Sequence, residues 1–156
     1  MIFVLEATLH KIKQPEVSGF TIEKTVKLMK LSFSRILMMH PEIDITVDQW
    51  IIIQLLFKHK NLSQQQIAEL SFKDAPTVTR IIDILVNKDI VRRDADHLDR
   101  RKFSILLTDN GIDTYKMVIP ILEEFRREAY ADIAHEDLIA LEETMNKIFQ
   151  NLSKQN

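Results

Sequence analysis

The chain has 156 residues and 46% of them are apolar, which fits one domain with a real hydrophobic core and excludes a disordered protein. It has no cysteine, and this excludes disulfide bonds, a thiol nucleophile and a thiol redox switch. The formal net charge is −2, but residues 61–108 carry eight Lys and Arg against seven Asp and Glu, whereas residues 109–156 carry five against ten. The acidic residues are therefore concentrated toward the C-terminus. Because salt screens distant carboxylates, a basic cluster in the middle of the sequence can still face an anionic partner.

Residues 1–19 could form a short helix or an extended arm, punctuated by Pro15 and Gly19. The apolar start at residues 1–5 is too short to span a bilayer and lacks a basic n-region or a cleavage site. We therefore expect a cytoplasmic protein that has no membrane partner.

Two helices are predicted next. From Ile22, apolar residues four and three apart predict a helix that ends near Met39. Its apolar positions are Val26, Met29, Phe33, Ile36 and Leu37. Thr46 and Gln49 form a capping box, in which each side chain accepts the backbone N–H of the other residue, and this predicts the start of the second helix. We interpret Trp50 in that helix as a core anchor.

Two short helices in tandem follow. Ser63 and Gln66 form a second capping box, and the helix that they open should bury Ile67, Ala68 and Leu70 before ending near Ser71. The next helix opens at Asp74 and has Pro76 in its first turn, where a missing N–H costs nothing. Its predicted buried face is Val78, Ile81, Ile82, Leu85 and Val86. Its opposite face carries Thr77, Arg80, Asp83, Ile84 and Lys88.

Two β-prone runs, residues 90–93 and 103–107, flank a charged loop at residues 94–102. A pair of tandem helices followed by such a hairpin predicts a winged helix-turn-helix, which reads DNA. The fold class expected for the chain is mainly α with a small β wing.

The last third of the chain predicts two more helices. Thr108 caps a long helix with Pro120 inside it, where the ring should kink the helix. The apolar face of this helix is Tyr115, Val118, Ile119, Leu122, Phe125 and Ala129. The final helix has a narrow apolar seam, typical of packing against another helix. The seam consists of Leu138, Leu141, Met145, Ile148 and Leu152.

Several of these motifs, in this order and spacing, resemble the signature of the MarR family of bacterial transcription regulators. They are residues 46–50, residues 77–80, residues 82–85, residues 90–91, residues 99–101, residues 107–108 and Gly111. The resemblance covers about residues 20–152 and implies one MarR-like domain over residues 1–156. It implies dimerisation helices at residues 20–40 and 109–152 and a winged helix-turn-helix at residues 46–108.

The same resemblance implies an obligate homodimer, and we expect this dimer to repress transcription from an inverted-repeat operator. One recognition helix per subunit enters a major groove, and each wing reaches a flanking minor groove. Three residues depart from the family pattern: Ile84 stands where arginine is usual, Val86 where glutamate is usual, and Asp89 where a glycine ends the recognition helix. Asp89 must then adopt the left-handed cap itself, or the helix must end differently.

The residues expected to contact double-stranded DNA are of three kinds: polar groups at the start of the first short helix, readers on the second helix, and cations on the hairpin. They are Ser63, Gln64, Gln65, Thr77, Thr79, Arg80, Arg92, Arg100, Arg101 and Lys102. Thr79 could instead be packed near the turn. Since Arg92 and Arg93 alternate along a strand, only one of them should face DNA. We expect Asp99 to be structural and to hold Arg80 or Arg101.

No catalytic, cofactor or metal site is predicted. The two glycines, Gly19 and Gly111, cannot form a phosphate-cradling loop, so we do not expect an enzyme or a cofactor. The histidines are scattered without a pair at i, i+4 spacing. The alternative function is a winged-helix module that binds a protein through an exposed patch around Ile84.

Some relatives in the family bind small aromatic acids in a cleft between the first helix, the Trp50 helix and the Tyr115 helix. In this chain the corresponding residues are equally typical of a ligand pocket and of an ordinary core. A small phenolic or aromatic carboxylate is the effector hypothesis. Its candidate site residues are Arg35, His40, Trp50 and Tyr115, with Arg35 or His40 as the partner of its charge.

Overall fold

The computed structural model describes residues 19–95 and 103–154 of the chain. In these ranges the helices are α1 (Gly19–Met38), α2 (Val47–His59), α3 (Gln64–Ser71), α4 (Ala75–Asn87), α5 (Asp109–Ala129) and α6 (His135–Ser153). The strands are β1 (Asn61–Ser63), β2 (Val91–Ala95) and β3 (Phe103–Leu107). This is the predicted mainly α winged-helix fold, with α3 and α4 as the tandem pair and β2 and β3 as the wing strands. Within these ranges, no helix has the length and apolar character needed to cross a bilayer.

The sheet has three antiparallel strands in the order β1-β3-β2. Ile105 at its centre pairs with Leu62 on one side and Arg93 on the other. The sequence did not predict β1, because three residues are too few to show the alternation that marks a strand. Pairing with β3 ties the segment before α3 to the wing.

The core forms where the central helix α2 meets α3, α4 and the sheet. Ile52 and Ile53 on α2 are fully buried, as are Ile67 on α3, Ile82 on α4 and Ile105 on β3. The buried face predicted for α4 is confirmed, with only Val86 half-buried. Three residues placed on buried faces are exposed instead: Leu70, Val26 and Ala129. They lie at the margin of their helical stripes, where spacing alone cannot tell the core from its edge.

Aromatic stacking joins α2 to α5. Trp50 is 2% exposed and stacks on Tyr115, with ring centroids 5.4 Å apart. The ring of Phe57 also stacks on Tyr115, with centroids 3.7 Å apart. The interpretation of Trp50 as a core anchor is confirmed. These contacts fix α5 against the body of the winged helix.

The start of α5 approaches the end of α4 closely at Gly111. A Cβ atom at this position would lie 2.1 Å from the carbonyl oxygen of Ile90, so only glycine fits without a shift of the backbone. The same carbonyl accepts the backbone N–H of Thr108 at 3.1 Å. Thr108 also caps α5, since its hydroxyl oxygen accepts the N–H of Gly111 at 3.0 Å. The predicted cap is confirmed, and Pro120 does lie inside α5.

Helix α6 has no buried residue. Its predicted apolar seam is exposed to solvent, with Leu141 56% and Leu152 59% accessible. On α1, Leu28 and Leu31 are likewise exposed. Between α1, α5 and α6 lies an open cavity of about 780 Å³, lined mainly by apolar side chains. The single chain therefore leaves the predicted seam uncovered.

Candidate nucleic-acid interface

Side-chain caps fix the N-terminal ends of α3 and α4, and so set where the polar groups of these helices lie. The capping box of Ser63 and Gln66 is complete. The backbone nitrogen of Ser63 lies 2.9 Å from the side-chain oxygen of Gln66, and the backbone nitrogen of Gln66 lies 3.2 Å from the hydroxyl oxygen of Ser63. Asp74 accepts the backbone N–H of Thr77 at 2.8 Å. Hydrogen bonds from the backbone and then the hydroxyl of Thr77 lower the pKa of Asp74, with a smaller contribution from the charge of Arg80. Both predicted caps are confirmed.

The exposed face of α4 carries Arg80, Asp83 and Ile84, whereas Thr77 is half-buried. Thr79 is exposed, so the alternative that it packs near the turn is wrong. The side chain of Ile84 is only 37% accessible, so the apolar patch that it forms is small. Among the described residues, no carboxylate forms an ion pair with Arg80, and its guanidinium is the strongest hydrogen-bond donor on this face.

The two threonines of α4 use their hydroxyl protons within the protein. Thr77 donates to the Asp74 carboxylate at 2.8 Å, and Thr79 donates to the carbonyl of Ala75 at 3.0 Å. The Thr79 oxygen in turn accepts from the amide nitrogen of Gln64 at 3.1 Å, which links the exposed ends of α3 and α4. The sequence had suggested that both threonines could contact a phosphate or a base. In this arrangement neither of them can donate to such an acceptor.

The polar groups at the start of α3 differ in what they can offer. The Ser63 oxygen accepts within the capping box, which does not use its proton. Gln65 donates to Glu69 one turn along the helix at 3.0 Å. Gln64 commits one of its two N–H groups to Thr79. Ser63 and Gln64 therefore keep donors that a phosphate could accept.

The C-terminal end of α4 is closed by Asp89 in the left-handed conformation, with φ of 55°. Ile90 donates its N–H to the carbonyl of Leu85 at 2.9 Å, and Asp89 donates to Val86 at 3.0 Å. This is the double hydrogen bond of a Schellman cap. Of the two alternatives for the end of this helix, Asp89 itself therefore adopts the left-handed cap.

The two arginines of β2 face different partners. Arg93 pairs with Asp83 on the exposed face of α4, and Arg92 pairs with Asp94 at 3.2 Å. Arg92 is the more exposed of the two, with 58% of its side chain accessible against 33% for Arg93. Both side chains are exposed, so the expectation that only one of them faces DNA stays a prediction. Arg100, Arg101 and Lys102, together with Asp99, lie outside the described residues.

An ionic cluster connects α1, α2 and the turn of the tandem helices. Asp48 accepts from Lys73 at 2.7 Å and from Lys30 at 3.0 Å. Burial of the Asp48 carboxyl would raise its pKa, but the hydrogen bonds from Lys73 and Lys30 outweigh that cost, and the pKa is lowered. This cluster was not predictable from the sequence, since Lys30 and Lys73 lie 18 and 25 positions from Asp48.

The four residues proposed for an effector do not meet at one site. Trp50 and Tyr115 are packed on each other, and the buried side chains of Phe33 and Leu37 fill the space expected for a cleft. Arg35 is exposed on α1. It lines neither the 780 Å³ cavity nor a second cavity of about 430 Å³. Trp50 and Tyr115 therefore belong to the core, which was one of the two interpretations of the cleft residues, and Arg35 does not meet them.

Of the four, His40 alone lines the second cavity, between α1 and α5. It bonds to Glu42 at 3.2 Å, and Glu42 has a lowered pKa owing first to its own backbone N–H and then to His40. Glu124 and Glu128 line the same cavity. In the described part of the chain, no three His, Asp or Glu side chains are grouped so that they could hold a metal ion.

Comparison with known proteins supports the family resemblance that the sequence motifs indicate. Residues 45–103 match the model of the MarR family. Over 77 residues the chain is 35% identical to the HTH-type transcriptional regulator TtmR of Methylorubrum extorquens (strain PA1), a match that covers 49% of this chain and 38% of that protein's length.

Two solved structures show the same fold. A mutant MarR from E. coli complexed with operator DNA has a TM-score of 0.75 at 19% identity, covering 83% of this chain and 91% of that one. BpsR of Bordetella bronchiseptica, whose DNA binding is regulated by 6-hydroxynicotinic acid, has a TM-score of 0.75 at 19% identity, covering 86% and 93%.

Proposed function

We propose that this chain, which carries a MarR-family domain over residues 45–103, is a sequence-specific DNA-binding transcriptional regulator. The observation that carries the proposal is the exposed face of α4, where Arg80 stands beside the hydrogen-bonded pair of Gln64 and Thr79. Arginine in this position can grip guanine in a major groove, and the donors of Ser63 and Gln64 can hold the backbone alongside. The same fold binds operator DNA in the E. coli protein.

The basic groups for phosphate contacts are supplied by Arg92 and by Arg100, Arg101 and Lys102, which lie between β2 and β3 in the sequence. Gln65, Thr77 and Thr79 complete the proposed interface. Because the hydroxyl protons of Thr77 and Thr79 are used within the protein, these side chains would contact DNA by van der Waals packing and not as hydrogen-bond donors. The winged helix-turn-helix of residues 46–108 is the DNA-binding region in this proposal.

We further propose a homodimer formed by residues 20–40 and 109–152. The exposed seam of α6 and the exposed leucines of α1 would be covered by a second copy, which removes apolar surface from water on both chains. Such a dimer binds an inverted repeat whose half-site centres lie about 10 bp apart. Bound across promoter DNA, it would repress transcription.

Release by a small aromatic or phenolic ligand is the finer part of the proposal. What supports it is the regulation of BpsR by 6-hydroxynicotinic acid and the cavity beside His40. In a ligand bound there, the carboxylate would pair with His40, and this pair would have to offset the charges of Glu124 and Glu128. About 3 kcal/mol of preference for the non-binding arrangement would lower operator affinity roughly a hundredfold.

The ligand is tested by titrating salicylate against a complex of the protein with labelled DNA. We expect millimolar salicylate to loosen the complex, and His40→Ala to remove the effect. If salicylate neither loosens DNA nor raises the melting temperature, and His40→Ala changes nothing, this part of the proposal is wrong. The protein would then be controlled by its own concentration or by another protein.

The dependence of duplex binding on salt separates DNA binding from the alternative of a protein-interaction module. Binding through phosphates releases counterions, so affinity should fall steeply, by a factor on the order of a thousand between 50 and 200 mM salt for six or more contacts. A module that docks a protein through the Ile84 patch would bind duplex weakly at every salt concentration, and its protein complex would respond little to salt.

A further inference from the structure

Thr79 lies on the exposed face of α4, and two hydrogen bonds hold its side chain. Its hydroxyl donates to the carbonyl of Ala75 one turn back, and its oxygen accepts from the amide of Gln64 on the neighbouring helix, at 3.0 and 3.1 Å. Both bonds end on the same oxygen, and so both fix the same side-chain torsion. The Thr79 rotamer is therefore set from α3 as well as from its own helix.

The bond network also fixes the amide of Gln64. A hydroxyl has one proton, and that of Thr79 is spent on Ala75, so the group that Gln64 turns toward Thr79 must be its donor, the NH₂. Gln64 is thus a positioning residue for Thr79. Together the two bonds leave the hydroxyl no proton for an acceptor outside the protein.

What remains of Thr79 is its methyl group and one lone pair. The base acceptors of the major groove, guanine O6 and N7, adenine N7 and thymine O4, all need a donor, which Thr79 lacks here. A phosphate oxygen needs a donor as well. The methyl group, in contrast, is suited to the one apolar feature of the groove, the C5 methyl of thymine.

We propose that Thr79, held by Ala75 and Gln64, specifies one thymine in each half-site through contact between its methyl group and the C5 methyl of the base. The proposal rests on the DNA-binding function proposed above and adds a specificity-determining residue to it. It differs from a contact through the hydroxyl oxygen, whose remaining lone pair would accept from adenine N6 or cytosine N4 and would ignore the methyl of thymine.

The test replaces thymine by uracil, one position at a time, in a duplex recovered by selection from a random library. Uracil differs from thymine only in lacking the C5 methyl. We expect one position per half-site at which uracil weakens wild-type binding about three- to fivefold, the factor for one buried methyl group. The other thymine positions serve as the control for general effects of uracil on the duplex.

Two variants assign that response to Thr79. Thr79→Ser keeps the hydroxyl and both hydrogen bonds but loses the methyl, so its binding should not distinguish thymine from uracil at that position. Thr79→Val keeps a methyl and loses the hydroxyl, so the discrimination should persist. Melting curves of both variants check that they fold.

The outcomes separate this inference from the function on which it rests. Failure to recover any duplex would overturn the proposed function and this inference with it. A recovered duplex in which no thymine responds, or in which Thr79→Ser keeps the response, would overturn the inference alone. Loss of the response in Thr79→Val, which keeps a methyl group, would show that this group does not carry the discrimination and would also overturn the inference.

Discussion

Arg93 on strand β2 forms an ion pair with Asp83 on the exposed face of α4. The pair joins the wing to this helix and neutralises a carboxylate that would otherwise face phosphates in the proposed DNA interface. Both side chains are substantially accessible, so the pair adds at most about 1 kcal/mol to stability. Its main consequence is electrostatic.

Asp83→Asn should therefore strengthen DNA binding. The change removes one negative charge from the proposed interface and frees Arg93 for a phosphate, so affinity for any duplex should rise roughly threefold or more, with a steeper salt dependence. Fluorescence anisotropy across a series of salt concentrations measures both. Glu23→Gln, which breaks the exposed ion pair with Lys27 on α1, is the charge-matched control and should change neither. Unchanged binding by Asp83→Asn would place Asp83 away from DNA, and weaker binding would contradict the electrostatic effect proposed for the pair.

Arg80 and Arg101 should differ in what their loss does. Arg80→Ala should cost about 1–3 kcal/mol on the specific site and relax the base preference at one position per half-site. Arg101→Ala should weaken binding to all sequences alike. Competition between specific and random duplexes gives the two affinities, and equal losses on both duplexes for both variants would contradict the assignment.

Asp89→Gly should stabilise the protein by about 0.5–1 kcal/mol, because glycine adopts the left-handed conformation at φ of 55° without steric cost. The hydrogen bonds of the cap are made by the backbone and should survive the change. The control is Asp113→Gly within α5, where the same substitution should destabilise the helix. Urea unfolding at fixed protein concentration measures both changes, and the same sign for both would refute the role of the cap.

Asp48→Asn should lower the free energy of unfolding by about 0.5–1 kcal/mol at neutral pH, since Asp48 is partly accessible and its pairs with Lys73 and Lys30 are partly screened. Because the folded pKa lies below the ordinary value of 3.8, this contribution is present above that value and is lost as pH falls through the folded pKa. The difference between wild type and variant should thus be constant from about pH 5 upward and shrink below about pH 4.

Urea unfolding across this pH range checks the sign. Asp113→Asn removes a carboxylate that pairs with Lys116 in a highly exposed position, so this control should change stability little at any pH. A difference for Asp48→Asn that grows as the pH falls would contradict the account of the cluster.

Leu141→Glu should break the proposed dimer, because it puts a charge into the seam of α6 that the second copy would bury. Light scattering at micromolar concentration should then give half the wild-type mass. Gln150→Glu adds the same charge on the opposite side of α6 and should leave the mass unchanged. A wild-type protein that is monomeric and still binds specific DNA tightly would refute the dimer.

The helix ends were predictable because caps are local. Ser63 with Gln66, Thr46 with Gln49, and Asp74 with Thr77 lie three residues apart, so the sequence alone brings them together. The buried face of α4 followed from its period in the same way. The pair of Asp83 with Arg93 was not predicted, because the alternation of a strand indicates only that Arg92 and Arg93 point to opposite faces and does not identify their partners.

Contacts between distant segments were not predictable. Strand β1 was missed because its partner lies more than 40 residues away, and a three-residue run has no pattern of its own. The predicted effector cleft was wrong as a four-residue site because composition does not distinguish a lined pocket from a filled core, and the stacking of Trp50 on Tyr115 decided it. The commitment of the Thr79 proton depends on Gln64, which belongs to another helix.

Selection of bound sequences from a random duplex library is the strongest test of sequence-specific DNA binding by this protein. We expect enrichment of an imperfect inverted repeat whose half-site centres lie about 10 bp apart. Arg80→Ala should lose that preference at one base pair of each half-site. Recovery of no common sequence, with binding that is equal for all duplexes, would contradict the claim that α4 reads DNA.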